Sequence, residues 1–416
     1  MANGINPSQA YLVPNANDPA VNAVPSGAPR GMYPSQGTWS PRLGFAYALG
    51  QKTTIRGGYG IFYDRIQGNP TFYTLNNPPY VGSAQYQYGN LSNITGGAGV
   101  IPPWGTIQTI DPGLKIPNSQ QFSLTIQREL PLRLFAEVSY VGSLGRHLLD
   151  EPDINQPSFA LMASVPSTTS ENSIRPYVGY SAIQQFESRA TNNYHSVQAL
   201  LTRRVGRVMF TAAYTFSKNL GDANSDTGNN YNFFNVRSYY GPTDFDIRQV
   251  LVGTFIWNLP ALRGQSRFLR RPFGEWQLSG VIHVQTGFYQ TVTGAAAIIT
   301  GRMADYVGGD WLLPNAGPNG WYNKAAFAKA PQGRWGTSGA GNIEGPGMQI
   351  YDLSLTKFFT VNERRSITLR FRADFINALN CVNFENPNTD ISSSSFGTIS
   401  SAYPPRNIQL GVKLQF

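Results

Sequence analysis

The feature that most limits what this chain can fold into is a period-two alternation of apolar and polar residues. It recurs in stretches near ten residues long. In "TTIRGGYGIFY", Ile55, Tyr59, Ile61 and Tyr63 share one face, and in "QQFSLTIQREL" it is Phe122, Leu124 and Ile126. "RVMFTAAYTFSK" places Val208, Phe210, Ala212, Tyr214 and Phe216 together, and "SITLRFRADFIN" does the same for Ile367, Leu369, Phe371, Ala373 and Phe375. "RLGFAYAL", "LRLFAEVSYVG", "HSVQALLTRR", "YDLSLTKFF" and the C-terminal "RNIQLGVKLQF" follow the same rule, and "DIRQVLVGTFIWNL" and "EWQLSGVIHVQTG" follow it with more noise. The spacing predicts about eleven strands and an all-β chain. Strands of this length suit a tilted crossing of a bilayer. The opposite faces carry polar side chains such as Ser123, Thr125, Gln127 and Glu137.

A soluble antiparallel sandwich alternates too, so the connections must decide. Here they alternate in length. "GQK" (50–52), "LPL" (130–132), "VGR" (205–207) and "VNERR" (361–365) are short, and 260–274 is of medium length. Between them lie long segments, near 64–117, 143–180, 221–244, 288–348 and 381–404. Loops beyond about 15 residues are rare inside compact domains. Outer-membrane barrels have short periplasmic turns and long outer loops. The expected fold is therefore an antiparallel, up-and-down transmembrane β-barrel with long extracellular loops.

The chain ends on Ile408, Leu410, Val412, Leu414 and Phe416, alternating with polar or small residues to the last position. In a barrel the last strand is expected to pair with the first and so not to fray. Its apolar face meets lipid, and a terminal aromatic fits an interfacial girdle. An odd strand count cannot close in the ordinary way. Two solutions are open: a missed strand in "YSAIQQFESRA" (180–190), or a larger barrel in which 180–205 is one long strand running beyond the membrane.

The net charge of +9 has its densest clusters at "RRVGR" (203–207), "RFLRR" (267–271) and "ERR" (363–365). With no basic helix or RNA-binding motif, these read as solvated turns, and no nucleic-acid partner is expected. The one cysteine, Cys381, rules out an intrachain disulfide. No run approaches the ~18 apolar residues of a helical span, and the first twenty residues do not read as a signal peptide.

Catalytic and metal chemistry find little support. The histidines are His147, His195 and His283, without a GxSxG elbow. They do not cluster with Cys381, so no catalytic, metal or cofactor site is expected. "DANSDTGNNYNFFN" (222–235) has possible Ca²⁺ ligands without EF-hand spacing and reads as a polar outer loop. The glycines of "GGYG" (57–60) read as room for curvature. The row Arg370, Arg372 and Asp374 faces the lumen, either as an ion-pair brace of the wall or as a contact for a plug or solute. Trp104, Trp311, Trp321 and Trp335 lie in the long loops, where they suit a ligand such as a glycan or a membrane interface.

Several segments, in order, resemble the C-terminal half of TonB-dependent receptors of the Oar-like type. They include "SPRLGFAYAL" (40–49), "NSQQFSLTIQREL" (118–130), "AAYTFSKNL" (212–220), "DFDIRQVLVGTFIWNLP" (244–260), "LRFRADFINALNCVNFENPN" (369–388) and "FGTISSAYPPRNIQLGVKLQF" (396–416). The resemblance implies a barrel of about twenty-two strands around an N-terminal plug, of which this chain carries about eleven or twelve. Residues 1–38 are expected to be a poorly ordered remnant of an outer loop, and 39–416 the C-terminal part of the barrel. No plug is expected within the chain. The resemblance also implies residence in the outer membrane, with lipid, the barrel assembly machinery and an unidentified ligand as partners. TonB would be reached only through an N-terminal part. The C-terminal strand resembles the signal that such proteins offer to their assembly machinery. Energised uptake is the implied function. A self-standing porin-like barrel and a soluble, secreted carbohydrate-binding β-protein are the alternatives.

Overall fold

A computed structural model describes residues 36–66, 68–74, 77, 105–222, 232–262, 264, 266, 268, 272–294, 303–362 and 367–416, together with the paired two-residue strands Leu12–Val13 and Val24–Pro25. Most of 1–38 therefore lies outside the described residues, as does Trp104.

The described wall is one antiparallel sheet whose order is chain order. Its strands are β1 (Arg42–Leu49), β2 (Thr53–Tyr63), β3 (Asn118–Leu130), β4 (Leu134–Asp150), β5 (Ile183–Arg203) and β6 (Val208–Gly221). The wall continues through β7 (Gln249–Asn258), β8 (Trp276–Gln285), β9 (Met348–Asn362), β10 (Ile367–Ile376) and β11 (Asn407–Gln415). These are the eleven strands expected, and the long connections all leave from one end of the sheet.

The register follows the alternation. Tyr47, Ile55, Ile126, Val138, Ala199 and Tyr214 are successive cross-strand partners and form one continuous apolar row. Leu251 and Val284 extend it across β7 and β8. Ile126, Val138 and Tyr47 stay exposed, as lipid-facing side chains of a barrel must. The glycines have a local role beside any effect on curvature. The ring of Phe45 lies over Gly57 and that of Phe122 over Gly142, so that an added Cβ would sit 2.4 Å and 2.2 Å from them. An aromatic from the neighbouring strand covers the bare backbone in each case.

Strand β5 resolves the choice left by the odd count. Residues 183–190 are not a separate crossing. They continue the strand that crosses at 192–203, giving 21 residues in all, roughly 70 Å at ~3.3 Å per residue. Its outer part pairs with β4 up to Asp150 and, in parallel, with the loop strand Ile107–Ile110.

The expected pairing of the last strand with the first is not seen among the described residues. Among the described residues β1 pairs only with β2 and β11 only with β10. The reason is directional. With an odd number of strands, β1 and β11 both run from the long-loop end to the short-turn end, so joining them would need a parallel seam.

The buried core lies in the long loops rather than in the wall. Val292, Ala304, Tyr322, Phe327, Ile343, Ile391 and Phe396 form one cluster, drawn from 286–347 and 377–406. Ile66, Ile110, Leu114 and Phe186 form a second around the outer part of β5, beside a third of Ile107, Tyr180 and Ile183. The loops thus build a folded extracellular cap.

Candidate functional site

Two features concentrate polar side chains: the inner face of the wall and the cap above it. On β2–β4 the inner face is a hydrogen-bonded ladder. Arg56 donates to Gln127, Gln127 Nε2 donates to Glu137 Oε2 at 2.5 Å, and Thr125 and Ser139 hydroxyls meet at 2.9 Å. On β6–β10 the curvature of the wall forms a trough of about 660 Å³, bordered by Thr211, Thr254, Ser279, Asp352, Ser354 and Asp374. Arg372 Nε donates to Asp374 Oδ1 at 2.8 Å, two residues apart on the same face of β10. The third member of the row, Arg370, stands across from Phe358 and Lys413. Asp352 Oδ1 accepts from the Asn377 N–H at 2.8 Å, where β10 turns into the cap.

Ile408, Leu410, Val412 and Leu414 are opposite Phe375, Ala373, Phe371 and Leu369 and are 53–70% exposed on the outer face; Phe416 is 96% exposed. Aromatics mark the two ends of that face. At the short-turn end are Trp257, Trp276 and Phe359; towards the long-loop end, the Tyr140 hydroxyl meets His195 Nδ1 at 2.8 Å beside Phe122.

The cap is held by polar clamps that sequence reading did not identify. Arg334 grips Asp305 through two bonds of 2.7 and 2.5 Å, and this guanidinium holds the carboxyl below the usual range. Arg175 reaches Asp153 at 2.6 Å and Glu171 at 3.1 Å. Asp246 accepts from the Asn219 N–H at 2.9 Å and pairs with Arg248 at 3.2 Å; burial nevertheless pushes its carboxyl above the usual range. Gln332 donates to the carbonyl of Val165 at 2.7 Å, tying loop 286–347 to the short helix Phe159–Ser164. Arg175–Asp153, Asn219–Asp246, Arg334–Asp305 and Gln332–Val165 lie 22 to 167 residues apart, and no periodicity announces them.

Two of the loop tryptophans, read from sequence as suiting either a ligand or a membrane interface, pack within the cap. Trp311 and Trp321 pack against the Val292–Phe327 cluster, and Trp321 Nε1 donates to the Glu344 carbonyl at 3.2 Å. Burial raises the phenol pKa of Tyr322 in the same cluster, and its hydroxyl donates to Gln290 Oε1 at 2.6 Å.

The three histidines are separate. His147 meets Asn118 at 3.3 Å, His195 meets Tyr140, and His283 meets Gln285 at 2.8 Å. None of these bonds joins a histidine to a serine and a carboxylate. Among the described residues no three His, Cys, Asp or Glu side chains gather as metal ligands. The acid- and amide-rich loop lies outside them at 223–231, and Asp222 at its edge accepts from the Thr191 N–H at 2.5 Å and hydroxyl at 3.0 Å.

The sequence matches the family model described as outer membrane beta barrel domain over residues 2–409. No curated protein matches it. Among solved structures, the outer membrane transporter YddB from Escherichia coli is 10% identical with a TM-score of 0.49, over 87% of this chain and 38% of that one. A mutant of the ferric enterobactin receptor PfeA from Pseudomonas aeruginosa is 14% identical with a TM-score of 0.47, over 90% and 40%. BauA, the ferric preacinetobactin receptor from Acinetobacter baumannii, is 10% identical with a TM-score of 0.44, over 90% and 36%. The chain thus spans two-fifths or less of these structures, and superpositions of this quality carry no function across.

Proposed function

From the premise that the chain belongs to the outer membrane beta barrel domain family and resides in the outer membrane, we propose that it forms the C-terminal part of a larger energised transport barrel, a TonB-dependent receptor of the Oar-like type. The observation that carries this is the wall itself. Among the described residues eleven wall strands run up and down with an apolar outer face and a polar inner one, and both edge strands are open. An open edge in a bilayer leaves unpaired backbone groups in hydrocarbon, at a cost of several kcal/mol each. The wall therefore needs further strands. The odd count requires that they too be odd in number, so that both new seams are antiparallel. The ordered motifs of residues 40–416 support the Oar-like reading.

In this reading the cap receives the ligand and the inner face lines its path. Arg372 and Asp374 brace the wall, and Arg370 faces whatever fills the lumen. Contact with TonB belongs to an N-terminal part. Ile408, Leu410, Val412, Leu414 and Phe416 present the terminal strand to the assembly machinery, and deleting Phe416 is expected to lower the amount of assembled protein in the outer membrane.

The test is the intact mass of the outer-membrane polypeptide that ends in "RNIQLGVKLQF". The expected result is a protein about twice this chain's 45.7 kDa whose ligand uptake stops when the inner-membrane proton gradient is collapsed. A 45.7 kDa polypeptide that forms a closed, heat-modifiable barrel and passes solutes without energy would overturn the proposal in favour of a passive pore.

A further inference from the structure

Basic residues that are far apart in sequence come to one end of the wall. Lys52, Arg133, Arg204 and Arg207 stand in or beside the short turns, and all four are exposed. "RFLRR" and "ERR", of which Phe268 alone lies among the described residues, fall in sequence between β7 and β8 and between β9 and β10. The described acidic side chains at this end are Glu129 and Glu275.

The opposite end is different. There four arginines are matched to carboxylates: Arg175 to Asp153, Arg189 to Asp150, Arg248 to Asp246 and Arg334 to Asp305. Among the described residues, no ion pair involves a basic side chain of the short-turn rim. Among the described residues the basic side chains of the rim outnumber Glu129 and Glu275, and none is held in an ion pair.

Three of its basic residues take the outward parity of the alternation: Arg128 is exposed, Arg203 half-buried and Lys357 buried. Arg128 shares the face of Ile126 and is paired across the sheet with Thr53 and Ala136. Arg203 stands between Leu134 and Phe210, and its Nε is buried without a hydrogen-bond partner. Lys357 donates to the Gly274 carbonyl, with its ammonium 5.8 Å from the Trp276 ring centroid and 5.4 Å from that of Phe359. Aromatic girdles lie at headgroup depth. Trp276, whose indole donates to the Pro272 carbonyl at 2.7 Å, places these cations at that depth. Phe273, beside Pro272, and Phe268, earlier in the same connection, are 64% and 90% exposed, as side chains that dip into an interface would be.

We propose that the short-turn rim is a binding surface for anionic phospholipid headgroups of the adjoining leaflet, with Arg128 and Arg203 facing the lipid phosphates and the exposed turn arginines supplying the surrounding field. The proposal rests on the reading that this end meets the membrane interface. It assigns a partner to the excess positive charge that the fold does not neutralise. Anionic lipid attracts interfacial Lys and Arg at about 1 kcal/mol each, about a fivefold change in partition per residue.

The experiment uses the complete native polypeptide in vesicles of phosphatidylethanolamine, with and without brominated phosphatidylglycerol. Flotation reports insertion, and tryptophan quenching reports phosphatidylglycerol against the girdle. In wild type, quenching should exceed that expected from the bulk lipid fraction. Arg128→Gln with Arg203→Gln should remove most of that excess, and the Arg→Lys pair should restore it. If the Gln pair fails to fold, wild type in high salt gives the same comparison, because screening weakens exposed charge. Flotation with bulk-level quenching in wild type, or unchanged excess in the Gln pair, would overturn the proposal. Failure to float with either vesicle would overturn the membrane placement as well.

Discussion

The wall and the cap solve opposite problems with the same residue types, and β5 belongs to both. In its outer part Ile183, Phe186 and Ala190 are fully buried; in its inner part Val197 is 47% exposed. The backbone pairing continues through both. What changes is the surrounding medium. In the membrane the backbone must be satisfied by neighbouring strands, while apolar side chains need no protein cover. Above it, water returns, and burial of Phe186 or Ile183 contributes about 1.5–3 kcal/mol each. The cap therefore makes cores and charge clamps, and the wall makes rows.

The sharpest way to separate the two is to damage one and watch the other. Phe327→Ala empties part of the cap core, at an expected cost of about 3–5 kcal/mol. Limited proteolysis should open loops 286–347 and 377–406, while heat-modifiable migration of the barrel stays unchanged. Loss of both together would show that the cap is needed to hold the wall.

A smaller effect is expected from adjacent residues of β5. Val197 faces outward with Tyr140 and Phe216, whereas Gln198 faces inward beside Ser139. Val197→Arg should cost about 2–4 kcal/mol if it lies near mid-bilayer, and Gln198→Arg much less. Reversible unfolding from lipid vesicles measures both, and equal costs would break the assignment of faces.

Next comes Gly142→Ala. Its Cβ would meet the Phe122 ring, which must swing off its seat, at an expected cost of about 1 kcal/mol in the same assay. Alanine at Gly253, whose nearest neighbour would be Ile282 Cβ at 3.7 Å, should be close to neutral.

The smallest expected effect is in pH. Arg334 depresses the Asp305 pKa in the folded cap. The pair's contribution is therefore present above the ordinary Asp range and lost as pH falls through the depressed value. Arg334 is 46% exposed, so the effect should stay below about 1 kcal/mol. Cap protection should be level from neutrality to about pH 5 and decline below about pH 4. Arg334→Met should flatten that decline.

The wall was legible because a membrane strand states its environment locally. Tyr47, Ile126 and Val138 need only their own alternation to be assigned outward, and the short and long connections fix the order of crossings. The rows around Arg372 and Asp374 follow from the same parity. The cap was not legible in this way. Its cluster joins Val292, Phe327 and Ile391 across some hundred residues, and its tryptophans look alike in sequence whether they pack inward or face a ligand.

The sequence by itself determined the faces of the strands and the up-and-down order, because each depends on a two-residue repeat and on loop length. Only the tertiary structure decided that 183–203 is one strand, that β1 and β11 stay unpaired with each other among the described residues, that Trp311 and Trp321 serve a core, and that dispersed arginines form one rim. Those outcomes depend on which distant segments meet, on the direction in which strands end, and on where charge finds a counter-charge. No local repeat encodes any of these.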